Sequence, residues 1–234
     1  MRKKATVTAI RQLSPAVRSL VLDIDGGFAF EPGQWLNVFL PSGGAELRRA
    51  YSIASAPSDA AVELAVTHVS GGAMSPRLHT LLPGDTIDVD GPHGFFTREG
   101  DAAGAPTLFV ATGTGIAPIR SMLRALATAP SLPPPCVLLF GCRTPADALY
   151  LDELRGLFPQ PRALRVELTL SRPPAEYRGR TGHVQGHVAE LATELPDAHV
   201  FVCGLGPMVN AVRTLCKTEL GYDRRRIHSE RFDP

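Results

Sequence analysis

The feature that most constrains the fold is a change in the hydrophobic pattern near the middle of the chain. Up to residue 98, short apolar or alternating runs such as Trp35 to Leu40 and Val62 to Val66 are separated by turn residues, for example Pro83-Gly84. From Thr107 onward, apolar strand-like runs alternate with helical stretches. Short strands with frequent turns are typical of a small barrel. Strand–helix alternation predicts right-handed βαβ units and a parallel sheet.

A chain of 234 residues suffices for two domains of about 100–130 residues each. We therefore predict a two-domain protein. Residues 1–100 are expected to form an antiparallel six-stranded β-barrel, and residues 104–234 an α/β domain with a five-stranded parallel sheet. The polar, Gly/Ala-rich stretch from Arg98 to Pro106 is the expected linker. The predicted helices of the second domain are Ile116 to Ala129, Pro145 to Leu157, Val188 to Leu195 and Pro207 to Leu220.

Charge and cysteine content narrow the classes of partner. The formal net charge is +1 and neither terminus is a charged tail, so neither nucleic acid nor an anionic membrane is expected as the main partner. No apolar run approaches the ~20 residues of a membrane span. The four cysteines, at positions 136, 142, 203 and 216, lack the spacing of a zinc site or a plant-type iron–sulfur cluster. We expect a reduced, cytoplasmic protein with no metal of its own.

Two motifs of the first half carry groups suited to a ring cofactor with phosphates. In Arg49-Ala50-Tyr51-Ser52, the Arg can pair with a phosphate, the Tyr can lie on a flat ring and the Ser can bond a ring nitrogen. Gly71-Gly72-Ala73-Met74-Ser75 can present backbone N–H groups to a phosphate. Taken singly, each motif also fits a plainer structure, an edge strand with a solvated Arg or an ordinary glycine turn.

Two motifs of the second half lie at ends of predicted parallel strands, where ligands of α/β sheets gather. Gly113-Thr114-Gly115-Ile116-Ala117-Pro118 follows the strand Thr107 to Ala111, so its backbone can approach a pyrophosphate at a helix N-terminus. It differs from the dinucleotide fingerprint, because Pro118 replaces the third Gly. Cys203-Gly204-Leu205-Gly206-Pro207-Met208 follows a later strand. By itself, Cys203 would be interpreted as a small buried apolar residue.

The order and spacing of these motifs resemble the ferredoxin–NADP reductase superfamily, from about residue 5 to the C-terminus. Gly-Pro-x-Gly-x-Phe at 91–96 and Asp152-Glu153-Leu154 add to the resemblance. The resemblance implies FAD as the bound cofactor, held by the barrel. It also implies NADPH or NADH as the co-substrate, bound by the α/β domain, with hydride transfer from nicotinamide C4 to flavin N5.

The same resemblance implies roles for individual residues. Ser52, Cys203 and Glu230 would be the catalytic residues, with Ser52 bonded to flavin N5 and Cys203 beside the nicotinamide. Arg49 would hold the flavin pyrophosphate and Tyr51 would pack against the ring. The other implied cofactor-binding residues are Gly71, Gly72 and Ser75 at the flavin phosphates, Thr112, Gly113, Thr114, Gly115, Gly204 and Met208 on the nicotinamide side, and Phe232 over the flavin.

The loop after the third strand of the second domain bears on coenzyme choice. In the superfamily this loop surrounds the adenosine ribose, so Ser171, Arg172 and Arg180 are expected to bind there. No carboxylate directly follows Ser171, which favours NADPH, since NAD-specific sites often place a carboxylate against the 2′-hydroxyl. However, Gly179-Arg180-Thr181-Gly182 also resembles NADH-using members.

We therefore expect a monomeric flavin-dependent NAD(P)H reductase that passes electrons to a separate one-electron acceptor. Ferredoxin, flavodoxin and an oxygenase component are the candidate acceptors. Two alternatives remain at this point. One is an NAD(P)H-dependent free-flavin or ferric reductase. The other is a non-catalytic electron-transfer subunit or regulatory binding module of a larger complex.

Overall fold

The computed structural model describes residues 1–158 and 163–232. Asp233 and Pro234, which follow the expected flavin-covering Phe232, lie outside the described residues. Within these two ranges, no helix is both long enough and apolar enough to cross a membrane.

The first half forms the predicted six-stranded antiparallel sheet. Its strands pair in the order β4-β3-β6-β1-β2-β5, and Ile53, just after β4, bridges antiparallel to Leu64 in β5, which closes the sheet into a barrel. Apolar side chains from alternating strand positions fill the interior. The elements are β1 (Lys3–Ser14), β2 (Val17–Ile24), β3 (Trp35–Ser42), β4 (Ala45–Ser52), β5 (Val62–Thr67), the single helical turn α1 (Ser75–Leu78) and β6 (Thr86–His93).

The second half is a parallel sheet with helices on both faces, as the strand–helix alternation predicts. Its strands pair in the order β10-β9-β8-β7-β11-β12, all parallel. The elements are β7 (Thr107–Thr112), α2 (Ile116–Ala127), β8 (Cys136–Cys142), α3 (Leu151–Arg155), β9 (Leu164–Leu170), β10 (Arg180–Thr181), α4 (Val188–Thr193), β11 (His199–Leu205), α5 (Gly206–Thr218) and β12 (Ile227–Phe232). The two-residue strand β10 is a sixth strand that the sequence does not predict.

Alternate residues of the central strands enter two separate cores. Phe109 and Phe201 face α2 and α3 on the side of the barrel, whereas Val110 and Val202 face α4 and α5. Because both faces of a parallel sheet are covered, these strands are apolar throughout. The first core also contains Ala54 and Ala65 of the barrel, so the two halves share one apolar junction.

The predicted helix from Pro145 to Leu157 is wrong. The chain forms a short 3-10 turn whose start is capped by Thr144 and Asp147, and only then α3. Tyr150 between them has a left-handed φ of 57°, a conformation that interrupts a right-handed helix. The Tyr150 side chain contacts Arg120 and Glu63, and these tertiary contacts account for this conformation.

The expected linker is folded rather than extended. Arg98 donates to Thr107 Oγ1 at 3.0 Å and to the carbonyl oxygens of Ala103 and Ala105 at 2.8 and 2.9 Å. Ala102, within a 3-10 turn of this segment, is buried. These bonds fix the path by which the chain leaves the barrel and enters β7.

Candidate functional site

The three residues expected to be catalytic meet where the barrel joins the parallel sheet. Ser52 is the last residue of β4, and its hydroxyl donates to Glu230 Oε1 at 3.0 Å. Glu230 lies on β12 directly opposite Cys203 of the neighbouring strand β11. Ser52, from the first half of the sequence, therefore lies next to Glu230 and Cys203 from the second half. The candidate site is shared between the domains.

Burial sets the protonation of this cluster. Burial raises the pKa of the Glu230 carboxyl to about 7, although the hydrogen bond from Ser52 opposes the shift. Cys203 is completely buried, and burial followed by the nearby Glu230 raises the pKa of its thiol well above the ordinary value. Cys203 is therefore a neutral thiol near pH 7, whereas Glu230 can take up or release a proton there.

The turn between β7 and α2 packs directly under Cys203. A Cβ added to Gly115 would lie 2.3 Å from the Cys203 carbonyl oxygen, so only Gly permits this approach. Gly204, with a φ of 145°, is similarly close to Thr112, whose Oγ1 would lie 2.4 Å from an added Cβ. The residues expected on the nicotinamide side thus form one packed group with Cys203.

Two features of this group fit a bound nicotinamide nucleotide. The Thr112 hydroxyl is buried and has no hydrogen-bond partner among the described residues, and such a group is costly unless a ligand or water completes it. Gly113 has a φ of 53°, and a Cβ there would meet only open space. The backbone beside the helix start is therefore free for a close approach by a ligand.

The flavin motifs of the barrel are also compatible with their implied roles. Tyr51 is partly buried against the barrel core, and burial raises the pKa of its phenol to about 12, so it stays neutral. Arg49 is exposed, and its guanidinium donates to the Arg48 carbonyl at 3.0 Å. Gly71 has a φ of 75° with open space around it, while Ser75 Oγ accepts a bond from Val69 N–H. The turn is thus held in shape before any phosphate binds.

Of the two arginines expected to bind the adenosine ribose, one is already paired with carboxylates and one is exposed. Arg180 is bound on two sides, donating to Glu167 at 3.1 Å and to Glu190 at 2.6 and 2.8 Å, so its positive charge is already matched. Arg172 is exposed, and its backbone N–H donates to the Arg143 carbonyl at 2.8 Å. Arg143, also exposed, directly follows β8 and was not singled out from the sequence, although its place after a parallel strand was a usable signal.

Glu230 makes the stability of the flavin-free protein depend on pH. Its folded pKa of about 7 lies above the unfolded value of ~4.3. The folded state therefore binds more protons in this window, and stability falls as pH rises from about 4.5 to about 7. Glu230→Gln should remove that fall, worth on the order of 3 kcal/mol. Urea unfolding of both proteins at about pH 5 and about pH 8 measures it, and parallel pH profiles would contradict it.

Sequence and structure comparisons identify both halves of the chain as cofactor-binding domains. The family described as "Oxidoreductase FAD-binding domain" matches residues 4–97, and "Oxidoreductase NAD-binding domain" matches residues 109–214. The chain is 49% identical to ferredoxin–NADP reductase B of Sorangium cellulosum, over 98% of this chain and 97% of that protein. It is 35% identical to the phenol hydroxylase P5 protein of Acinetobacter pittii, over 98% of this chain and 65% of that protein.

Among solved structures, the ferredoxin reductase in carbazole 1,9a-dioxygenase superposes with a TM-score of 0.83 at 25% identity. The match covers all of this chain and 70% of that one. Both cofactor-domain families match this chain, and the relative from Sorangium cellulosum matches over nearly its whole length. This chain belongs to the ferredoxin–NADP reductase family and is a flavin-dependent NAD(P)H oxidoreductase that uses FAD.

Proposed function

We propose that this enzyme passes electrons from NADPH, through FAD held by the barrel, to ferredoxin as a separate one-electron acceptor. One observation carries the electron path from nucleotide to flavin: the Ser52–Glu230 hydrogen bond joins the flavin motif to the strand pair that holds Cys203. The relative from Sorangium cellulosum, which bears the words ferredoxin and NADP in its name, matches over nearly its whole length. That match favours ferredoxin over flavodoxin or an oxygenase component.

The bound flavin supplies the chemistry that converts a two-electron donor into a one-electron donor. The residues of this chain orient the reaction. Ser52 would face the flavin ring, and Glu230, which accepts the hydrogen bond from the Ser52 hydroxyl, would fix the direction of that hydroxyl. The buried Cys203 and Gly115 would support this side of the site from beneath, and the exposed backbone at Gly113 would meet the nucleotide. Since Glu230 titrates near pH 7, it can hold the proton that must leave or enter when the flavin changes its charge.

The proposal is tested by mixing the purified protein with NADPH in the absence of oxygen and then adding an oxidised ferredoxin. We expect a yellow protein whose flavin is released as FAD, is bleached by NADPH and is reoxidised by ferredoxin. Flavin that binds weakly and turns over as a substrate would instead indicate a free-flavin or ferric reductase. A protein that binds FAD but is not reduced by either nucleotide would contradict the proposal and favour a non-catalytic subunit.

We propose that coenzyme choice depends on the loop in which the Arg172 backbone N–H donates to the Arg143 carbonyl. Both side chains are exposed, and their backbones are hydrogen bonded, so two cations stand at the carboxyl edge of β8 and β9. A charge-assisted bond to a 2′-phosphate contributes roughly 1.5–3 kcal/mol, or about ten- to hundredfold in affinity. Because Arg180 is ion-paired with Glu167 and Glu190, it plays a smaller part.

We expect wild-type enzyme to prefer NADPH to NADH in kcat/KM. Arg172→Ala or Arg143→Ala should lower that ratio by about tenfold, mainly through the KM for NADPH. Arg178→Ala serves as the control, since Arg178 lies in the same loop but bonds the Ala175 carbonyl. A wild-type preference for NADH, or equal ratios in all four proteins, would show that these residues do not bind the 2′-phosphate.

A further inference from the structure

A buried arginine ties the nicotinamide side of the site to the flavin side. Arg120 lies on α2, just after the Gly113–Gly115 turn, and is almost fully buried. Its Nη1 crosses the domain junction and donates to the Ala54 carbonyl at 2.8 Å and to Glu63 Oε2 at 3.0 Å. Ala54 is two residues from Ser52 in the chain, so this bond acts close to the flavin motif.

The arginine is held from the other side by the segment around α3. Glu153 accepts bonds from Arg120 Nε and Nη2 at 2.9–3.1 Å. The Tyr150 ring lies 4.1 Å from the Arg120 guanidinium carbon, and the Tyr150 hydroxyl donates to Glu63 Oε1 at 2.9 Å. These contacts explain the left-handed backbone at Tyr150, because they direct its side chain back into the junction. A planar fork of donors is required to satisfy all of these acceptors together.

A second arginine, one helical turn further along α2, provides a natural comparison. Arg124 donates to Glu153 Oε1 and to Asp59 Oδ1, both at 2.8 Å. Its side chain is 29% exposed, against 4% for Arg120, and it bonds no backbone group of the segment that follows Ser52. The two residues therefore share a helix, a charge and the partner Glu153. Arg124 reaches the segment that follows Ser52 only through the Asp59 side chain, which accepts a bond from the Ala56 N–H, whereas Arg120 bonds the backbone two residues from Ser52.

We infer that Arg120 is a positioning residue for hydride transfer, because it sets the distance between the flavin and nicotinamide half-sites. The inference rests on the proposed function. The half-sites stand on different sheets, so only contacts across the junction fix their separation. A displacement of about 1 Å between reacting groups can slow a reaction a hundredfold. Arg120 belongs to α2, the helix that starts beside Cys203, and its side chain bonds the barrel two residues from Ser52. It therefore links the two half-sites directly.

Arg120→Lys keeps the positive charge but loses the planar set of guanidinium donors. Tyr150→Phe keeps the aromatic ring but loses the hydrogen bond to Glu63. In both variants we expect normal FAD content. The flavin reduction rate at saturating NADPH should fall by about tenfold to a hundredfold in Arg120→Lys and by less in Tyr150→Phe. The nucleotide dissociation constant should change by less than about threefold. The long-wavelength charge-transfer absorbance between nicotinamide and flavin should weaken in the same order. Arg124→Lys is the matched control and should behave as wild type.

A second measurement is independent of turnover. Amide hydrogen exchange of the flavin-free protein should quicken in residues 50–55 and 112–119 in Arg120→Lys but not in Arg124→Lys. Wild-type reduction rate, absorbance and exchange in Arg120→Lys would overturn the inference, as would equal losses in Arg120→Lys and Arg124→Lys. If NADPH fails to reduce the flavin of the wild-type protein, the proposed function fails, and the exchange experiment still decides whether Arg120 fixes the junction.

Discussion

Hydride transfer requires two flat rings in contact, and this chain builds the support for each ring on a different sheet. Everything else in the structure depends on the junction between those sheets. Ser52 ends a strand of the barrel, while Cys203 and Glu230 lie on paired strands of the parallel sheet. The Ser52–Glu230 hydrogen bond crosses the junction at the site itself. The apolar core that includes Ala54, Ala65 and Phe201 holds the two sheets together beneath it.

The electrostatics of the junction follow from its burial. An isolated charge between the sheets would be costly, so Arg120 is matched by Glu63 and Glu153 and makes hydrogen bonds to both. Replacing such a pair by apolar residues often costs nothing in stability. We therefore attribute its presence to geometry, since directional bonds fix a separation that apolar packing alone leaves freer. Glu230, by contrast, has no cation bonded to it among the described residues, and its pKa is raised by burial.

Much of the fold could be predicted from the sequence, because short strand-like runs alone give way at Thr107 to strand-like runs that alternate with helical stretches. Strand and helix positions followed from local patterns, with helix ends differing by one or two residues in most cases. The break at Tyr150 could not be predicted, because its cause is a contact with Arg120 and Glu63, which lie far away in the sequence. Strand β10 is too short, at two residues, for any periodic pattern to reveal it.

The candidate site was only partly accessible to sequence reasoning. Ser52, Cys203 and Glu230 were singled out through the family resemblance, and their meeting across 178 positions is a tertiary result. The ion pairs of Arg180 with Glu167 and Glu190 could not be predicted, because both partners lie on other elements. The role of Arg120 was not predicted, although a charged residue after the apolar first turn of α2 indicates buried partners.

The most direct test of this account is a crystal structure of the protein with FAD and a nicotinamide nucleotide bound. We predict that the flavin ring lies against Tyr51 and in contact with Ser52, with the nicotinamide between the ring and Cys203, and with Arg120 still bonded to the Ala54 carbonyl. A flavin ring bound away from Ser52, or a nicotinamide that reaches the flavin without approaching Cys203, would contradict it.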